Sequence, residues 1–209
     1  MQKPCEDDGY YYAMARVRNS NTAALDYPFV FQNFNQGIFI DVHPYDKIDI
    51  DKGREIFEQV DKLIRKNSTA MRLTHPRLNA KDIERIRSYD KEEPCEVYKK
   101  LNCMIQSFRD CETDYVAYLT ATTYGFERNT FRREWFQERT LIEMYGLKTY
   151  IPCGYENILK TEYGDYMTLP PVESRGNWHG SLVIDPDISY RSILPQIRND
   201  IINDKCNLW

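Results

Sequence analysis

The chain has 209 residues, the length of one large domain or two small ones, and can bury about 70% of its unfolded surface without a disulfide or metal staple. Its 28 Lys and Arg against 32 Asp and Glu leave a net charge of −4, which argues against the basic, clustered footprint of a nucleic-acid binder. The longest apolar run is six residues, from Tyr10 to Ala15, where a membrane span needs ~20, and the first residues carry no apolar secretion signal. An integral membrane protein is therefore not expected. The predicted location is the cytoplasm, extending to the inner face of the membrane. Six cysteines, at 5, 95, 103, 111, 153 and 206, form no CxxC pair, and they are predicted to be reduced rather than bridged or zinc-bound.

Taken in chain order, residues 10–18 are β-rich and close on the turn-forming run Asn19-Ser20-Asn21-Thr22. Residues 23–36 read as an irregular connection. Gly37-Ile38-Phe39-Ile40-Asp41-Val42-His43-Pro44 reads as a strand, with Ile38, Ile40 and Val42 on one face and Phe39, Asp41 and His43 on the other. Asp51 is the predicted N-cap of a helix whose stripe is Ile56, Phe57, Val60, Leu63 and Ile64. After a polar stretch with Pro76, Asn79 is the predicted cap of a short helix through Ile83 and Ile86. A further helix begins near Pro94, with Val97, Tyr98, Leu101, Met104, Ile105 and Phe108 on one side.

Residues 115–122 fit strand or helix equally. The two apolar runs flanking Tyr145-Gly146-Leu147 predict a hairpin. Residues 154–163 predict a helix stopped by Gly164, a Pro- and Gly-bearing loop covers 169–180, and a last helix runs over about 193–203. No repeat or low-complexity linker divides the chain, so a single α+β domain over 1–209 is expected, with residues 181–209 as a helical tail.

Two segments carry chemistry. In the first, a carboxylate, Asp41, interrupts an apolar strand with His43 on its face. Burying it requires a cation, either a metal or an arginine; the competing reading is an edge strand on which Asp41 meets water. The second is Tyr163-Gly164-Asp165-Tyr166-Met167, then Pro170-Pro171, Arg175 and His179. Its prolines stiffen a loop from which Arg175 and His179 would grip a phosphate, unless it is simply a surface loop with tyrosines packed on the core. Asp46-Lys47-Ile48-Asp49-Ile50-Asp51 imitates a metal-binding strand, but it runs into a helix, so Asp49 and Asp51 are read as helix-start residues, where carboxylates suit the helix dipole. The three histidines, at 43, 75 and 179, lie near no nucleophile motif.

At these segments the chain resembles the LicD family of phosphocholine and related phospho-alcohol transferases, to which the fukutin-related proteins also belong. The resemblance runs in matching order over residues ~10–180. It comprises Tyr10-Tyr11-Tyr12-Ala13-Met14-Ala15-Arg16-Val17-Arg18-Asn19-Ser20-Asn21-Thr22, the Gly37–Asp46 string, a hairpin near Phe136, and the Tyr-Gly-Asp-Tyr-Met, Pro-Pro, Arg, His succession. It implies a nucleotidyltransferase-like fold, a small mixed sheet with packed helices. It also implies transfer of phosphocholine or a similar phospho-alcohol from a CDP-linked donor to a glycan hydroxyl of a cell-surface polysaccharide such as lipopolysaccharide or teichoic acid.

Under that resemblance Asp41 is the catalytic and metal-binding carboxylate. Arg16, Arg18, His43, Asp165, Arg175 and His179 are substrate-binding, and magnesium or manganese is the cofactor. His43 stands where the family usually has an apolar aromatic. Family members also carry a Gly-containing loop and a strand with paired aspartates ahead of the first matched segment. Neither fits in the residues before Tyr10. The chain is thus expected to correspond to the C-terminal two-thirds of such a protein, with metal binding weak or absent in this chain alone. The alternatives to an active enzyme are a non-catalytic binding module and half of a split enzyme needing a partner chain. The truncation predicts self-association at an open sheet edge near Asp41, with Phe39 exposed.

Overall fold

The structure, a computed structural model, describes residues 10, 12–70, 94–119, 125–175 and 181–203. Among these the protein is mixed α/β, with four α-helices and small sheets whose strands pair antiparallel throughout. The framework divides into two compact units, one of residues 1–43, 63–100 and 176–209, the other of 44–62 and 101–175. The predicted helix after Asn79, His75 and His179 lie outside the described residues.

In the first unit, β1 (Ala15–Arg18) pairs with β3 (Phe39–Val42), and β2 (Ala23–Asp26) pairs with β9 (Ser181–Asp185). Neither β2 nor β9 was expected from sequence: Ala-Ala-Leu-Asp has little strand propensity, and its pairing comes from across the chain. Ser181 Oγ donates to Asp26 Oδ1 at 2.7 Å over 155 residues of separation. This ribbon is covered by α4 (Tyr190–Ile202), and Ala23, Leu25, Val30, Tyr190, Leu194 and Ile201 form the core. Helix α4 starts three residues before the sequence reading, because Ser189 caps it by accepting from Arg191 N while donating to Ser20 O. Pro195 consequently falls beyond the first turn of the helix.

In the second unit, β4 (Asp46–Lys47), β5 (Tyr115–Ala117) and β6 (Thr130–Arg132) make a three-stranded sheet in the order β4-β5-β6. The ambiguity over 115–122 thus resolves to strand at its start. β7 (Arg139–Met144) and β8 (Leu147–Pro152) form the predicted hairpin, closed by a two-residue turn, Tyr145-Gly146. α3 (Tyr155–Tyr163) follows and ends at Gly164 as expected. Val116, Phe131 and Ile158 make the core here, with Tyr118, Trp135 and Phe136 packed on it.

The two remaining helices, α1 (Ile50–Ala70) and α2 (Pro94–Gln106), each contribute residues to both units. Their predicted stripes hold. Phe57 and Val60 of α1, and Val97, Leu101 and Ile105 of α2, are buried. The cap of α1 moves back two residues, to Asp49, whose Oδ1 accepts from Asp51 N at 3.0 Å. Among the described residues no helix is long and apolar enough to cross a membrane.

Candidate functional site

Strand register builds the site. β1 and β3 pair so that Arg16 lies opposite Asp41 and Arg18 opposite Phe39. Side chains alternate across an antiparallel pair, so these four share one face with His43 next along it. Arg16 Nε donates to Asp41 Oδ1 at 2.6 Å. The pairing answers the question the strand posed, since the cation that accompanies the carboxylate is an arginine 25 residues earlier. His43 Nε2 lies 3.9 Å from the other carboxylate oxygen, too far for a hydrogen bond but close enough for a hydroxyl to touch both.

The polar face is the covered one. Arg16 is only 5% exposed, whereas Ile40 on the opposite face is 71% exposed and Val17 and Val42 are exposed beside it. Aromatic rings make this burial tolerable. The Arg16 guanidinium carbon lies 3.9 Å from the Phe39 ring centre and 4.3 Å from that of Tyr12, and Arg18 lies 4.6 Å from Phe39 and 5.4 Å from Phe34. Phe39 therefore sits beneath two guanidiniums and is not the exposed apolar residue the sequence predicts. The exposed apolar side chains of this ribbon are Val17, Ile40 and Val42. Among the described residues β3 pairs with β1 alone, as in the edge-strand reading, yet its Asp41 meets an arginine.

Protonation follows from this packing. Burial pushes the Arg18 guanidinium down to about 10, with the Arg16 charge acting the same way, so it remains a cation at neutral pH. Tyr10, whose hydroxyl donates to Met14 O at 2.9 Å, is pushed well up by burial. His43 is lowered, chiefly by burial and further by Arg16, against an opposing pull from Asp41. A histidine with a lowered folded-state pKa binds fewer protons than the unfolded chain does. Its contribution to stability is therefore full above the ordinary value of 6.5 and is lost as pH falls through the lower, folded value. Replacing His43 by asparagine is expected to flatten the pH dependence of the urea midpoint on the acid side of neutrality, and an unchanged slope would contradict this assignment.

The remaining described candidates, Asp165 and Arg175, belong to the other unit. Asp165 accepts from Thr168 Oγ1 at 2.7 Å, and Arg175 Nε donates to Pro170 O at 2.8 Å. Both belong to the second unit, on a loop after α3 that exposes Met167 and half-buries Tyr166, while Tyr163 at the end of α3 is exposed. Arg16, Arg18, Asp41 and His43 come together in the first unit.

No family model, curated protein or solved structure matches this chain. What the arrangement can do rests on the residues themselves.

With Oδ1 held by Arg16, the cluster offers a cation one carboxylate oxygen and one ring nitrogen. Magnesium asks for near-octahedral oxygen coordination, and the Arg16 charge beside Asp41 opposes it. These residues by themselves do not fit the divalent metal that the resemblance implies. Arg16, spent on Asp41 and two rings, positions the carboxylate. Oδ2 lies 3.9 Å from His43 Nε2, and Arg18 stands on the same face.

Sequence reading missed the aromatic bed of Tyr12, Phe34 and Phe39. A signal existed, since Arg16 and Arg18 share the two-residue period of Phe39 and Asp41. It also missed Gly37, whose position against β1 is a matter of clearance that no periodicity encodes.

Proposed function

We propose that the protein is a LicD-like transferase of nucleotidyltransferase-like fold that moves phosphocholine or a similar phospho-alcohol from a CDP-linked donor to a glycan hydroxyl. One observation carries this reading: Asp41, held through Oδ1 by a buried arginine, keeps Oδ2 directed toward His43 on the covered face of β1 and β3. A hydroxyl set between Oδ2 and Nε2 is oriented by the carboxylate and can pass its proton to the imidazole, which burial favours in the neutral form. The hydroxyl oxygen then forms a bond to the phosphorus next to the transferred alcohol. The bond from that phosphorus to the CMP oxygen breaks, and CMP leaves. Arg18, a cation at neutral pH, is placed on the same face for the diphosphate.

A second reading is favoured by the same ion pair. A carboxylate with one oxygen committed to arginine suits a binding module that retains the acceptor side without turnover. CMP release from CDP-choline in the presence of glycan acceptor and magnesium separates the two. The transferase reading expects release that falls about 100-fold or more in His43→Asn, comparable with the loss of a general-base contribution. Saturable donor binding without release would establish the binding module, and neither binding nor release would defeat both readings.

A further inference from the structure

The hairpin of the second unit ends in a run of uncharged, outward-facing side chains. Tyr145 is 95% exposed, Leu147 72% and Met144 53%, with Leu141 and Tyr150 exposed on the shaft. Among the described elements, β7 and β8 pack mainly on each other. Six residues per strand carry the tip roughly 17 Å beyond the Arg139–Pro152 pair. The tip thus stands off from the core of Val116, Phe131 and Ile158 rather than covering it.

Local folding does not account for Tyr145. It adopts φ of +53°, followed by Gly146 at +76°, the left-handed pair of a two-residue hairpin turn. The first position of such a turn favours Asn, Asp or Gly, because a side chain with a bulky Cβ substituent is crowded there. A tyrosine at this place works against the turn and gains no burial in return. An outlier of this kind, on a surface with no fold role, points to a ligand.

We propose that the Met144-Tyr145-Gly146-Leu147 tip is a lipid-surface anchor that enters the headgroup–acyl boundary of a membrane. Area and charge favour this occupant over a protein. Three side chains, of which an aromatic exposes ~200 Å², supply about half of the ~800 Å² that each partner of a stable protein–protein interface buries. A bilayer requires no matching surface, and an apolar tip need sink only ~5–10 Å to reach the acyl boundary. Tyrosine is also suited to that depth, with an apolar ring and a wet hydroxyl. Behind the tip, Lys148 faces Glu143 in register and Arg139 lies over the Tyr150 ring. The shaft therefore carries two cations against one carboxylate, and the attachment is mainly apolar with a slight preference for anionic lipid. The anchor holds whatever chemistry the Arg16–Asp41 cluster performs.

The test is flotation of the full chain with vesicles of phosphatidylcholine alone and of phosphatidylcholine containing a quarter phosphatidylglycerol. Capture by both is expected, at most a few-fold stronger with the anionic lipid. Tyr145→Asn should weaken capture roughly tenfold while raising the melting temperature by about 2 °C, because asparagine suits the turn better. That combination cannot arise from misfolding. Tyr145→Trp should retain capture, and Leu147→Asp should lose it. Failure of the parent chain to float, or undiminished flotation of Tyr145→Asn, would overturn the proposal. So would a dimer, seen by sedimentation, that Tyr145→Asn dissociates while vesicles capture nothing.

Discussion

Replacing Arg16 by methionine is expected to destabilise the protein by about 3–5 kcal/mol, the range for removing one partner of a buried ion pair. Arg16 is 5% exposed, bonds Asp41 at 2.6 Å and lies against Tyr12 and Phe39. Methionine replaces some of the packing of the side-chain stem but none of the charge. Asp41, only a quarter exposed, would be left without its cation. For a chain of this size the melting temperature should fall by roughly 10 °C.

The double variant, Arg16→Met with Asp41→Leu, should recover a substantial part of that loss, since no charge then remains to be desolvated. Strict additivity of the two single changes would show that the pair is not coupled. In that case Arg16 would not be what positions the carboxylate.

The second large effect is expected at Gly37, one residue before the strand partner of Asn19. A Cβ there would overlap the carbonyl oxygen of Asn19, a backbone atom that cannot rotate away. Around it, Asn19 N donates to Ile38 O, Arg18 Nη1 to Gly37 O, and Ile38 N to Thr22 Oγ1, each within 2.9 Å. Gly37→Ala must therefore shift β3 against β1, and a loss of about 3 kcal/mol or more is expected from disrupting that network. Gly164→Ala makes the contrast. Gly164 has φ of +72° and ψ of −120°, a conformation that disfavours any Cβ, with open space around it, so only a backbone penalty of about 1–3 kcal/mol applies. Equal destabilisation of the two variants in urea unfolding would show that the close approach of β1 and β3 is not needed for stability.

Much of the local structure was legible in sequence because its causes are local. The apolar stripes of α1 and α2, the tight turn at Tyr145-Gly146 and the stop at Gly164 are each decided within a few residues. β2 was not legible, because Ala-Ala-Leu-Asp is a poor strand alone and depends on a partner more than 150 residues away; β9 was missed although Leu182-Val183-Ile184 carries strand propensity of its own. At the site, alternation correctly separated Phe39, Asp41 and His43 from Ile38, Ile40 and Val42.

Period two does not say which face is covered, and ordinary hydrophobic reasoning points to the aliphatic one. The structure covers the other. Two arginines on β1 supply both the counter-charge for Asp41 and the planar surfaces that pack on Phe39. Placing Asp165 and Arg175 relative to this cluster depends on tertiary arrangement rather than pattern. His179 falls outside the described residues.

The central claim is that the covered face of β1 and β3, with Asp41 Oδ2 and His43 as its directed groups, receives the donor and acceptor. Histidine ring resonances test it directly, because the chain has three histidines and His43→Asn identifies the signal of interest. Titrating CDP-choline into the full chain should move the His43 ring signals saturably, and Arg18→Met should weaken that response about tenfold, the loss expected for a charge-assisted contact to phosphate. His43 signals that stay fixed at saturating donor, or a response indifferent to both Arg18→Met and Asp41→Asn, would contradict the placement of the site.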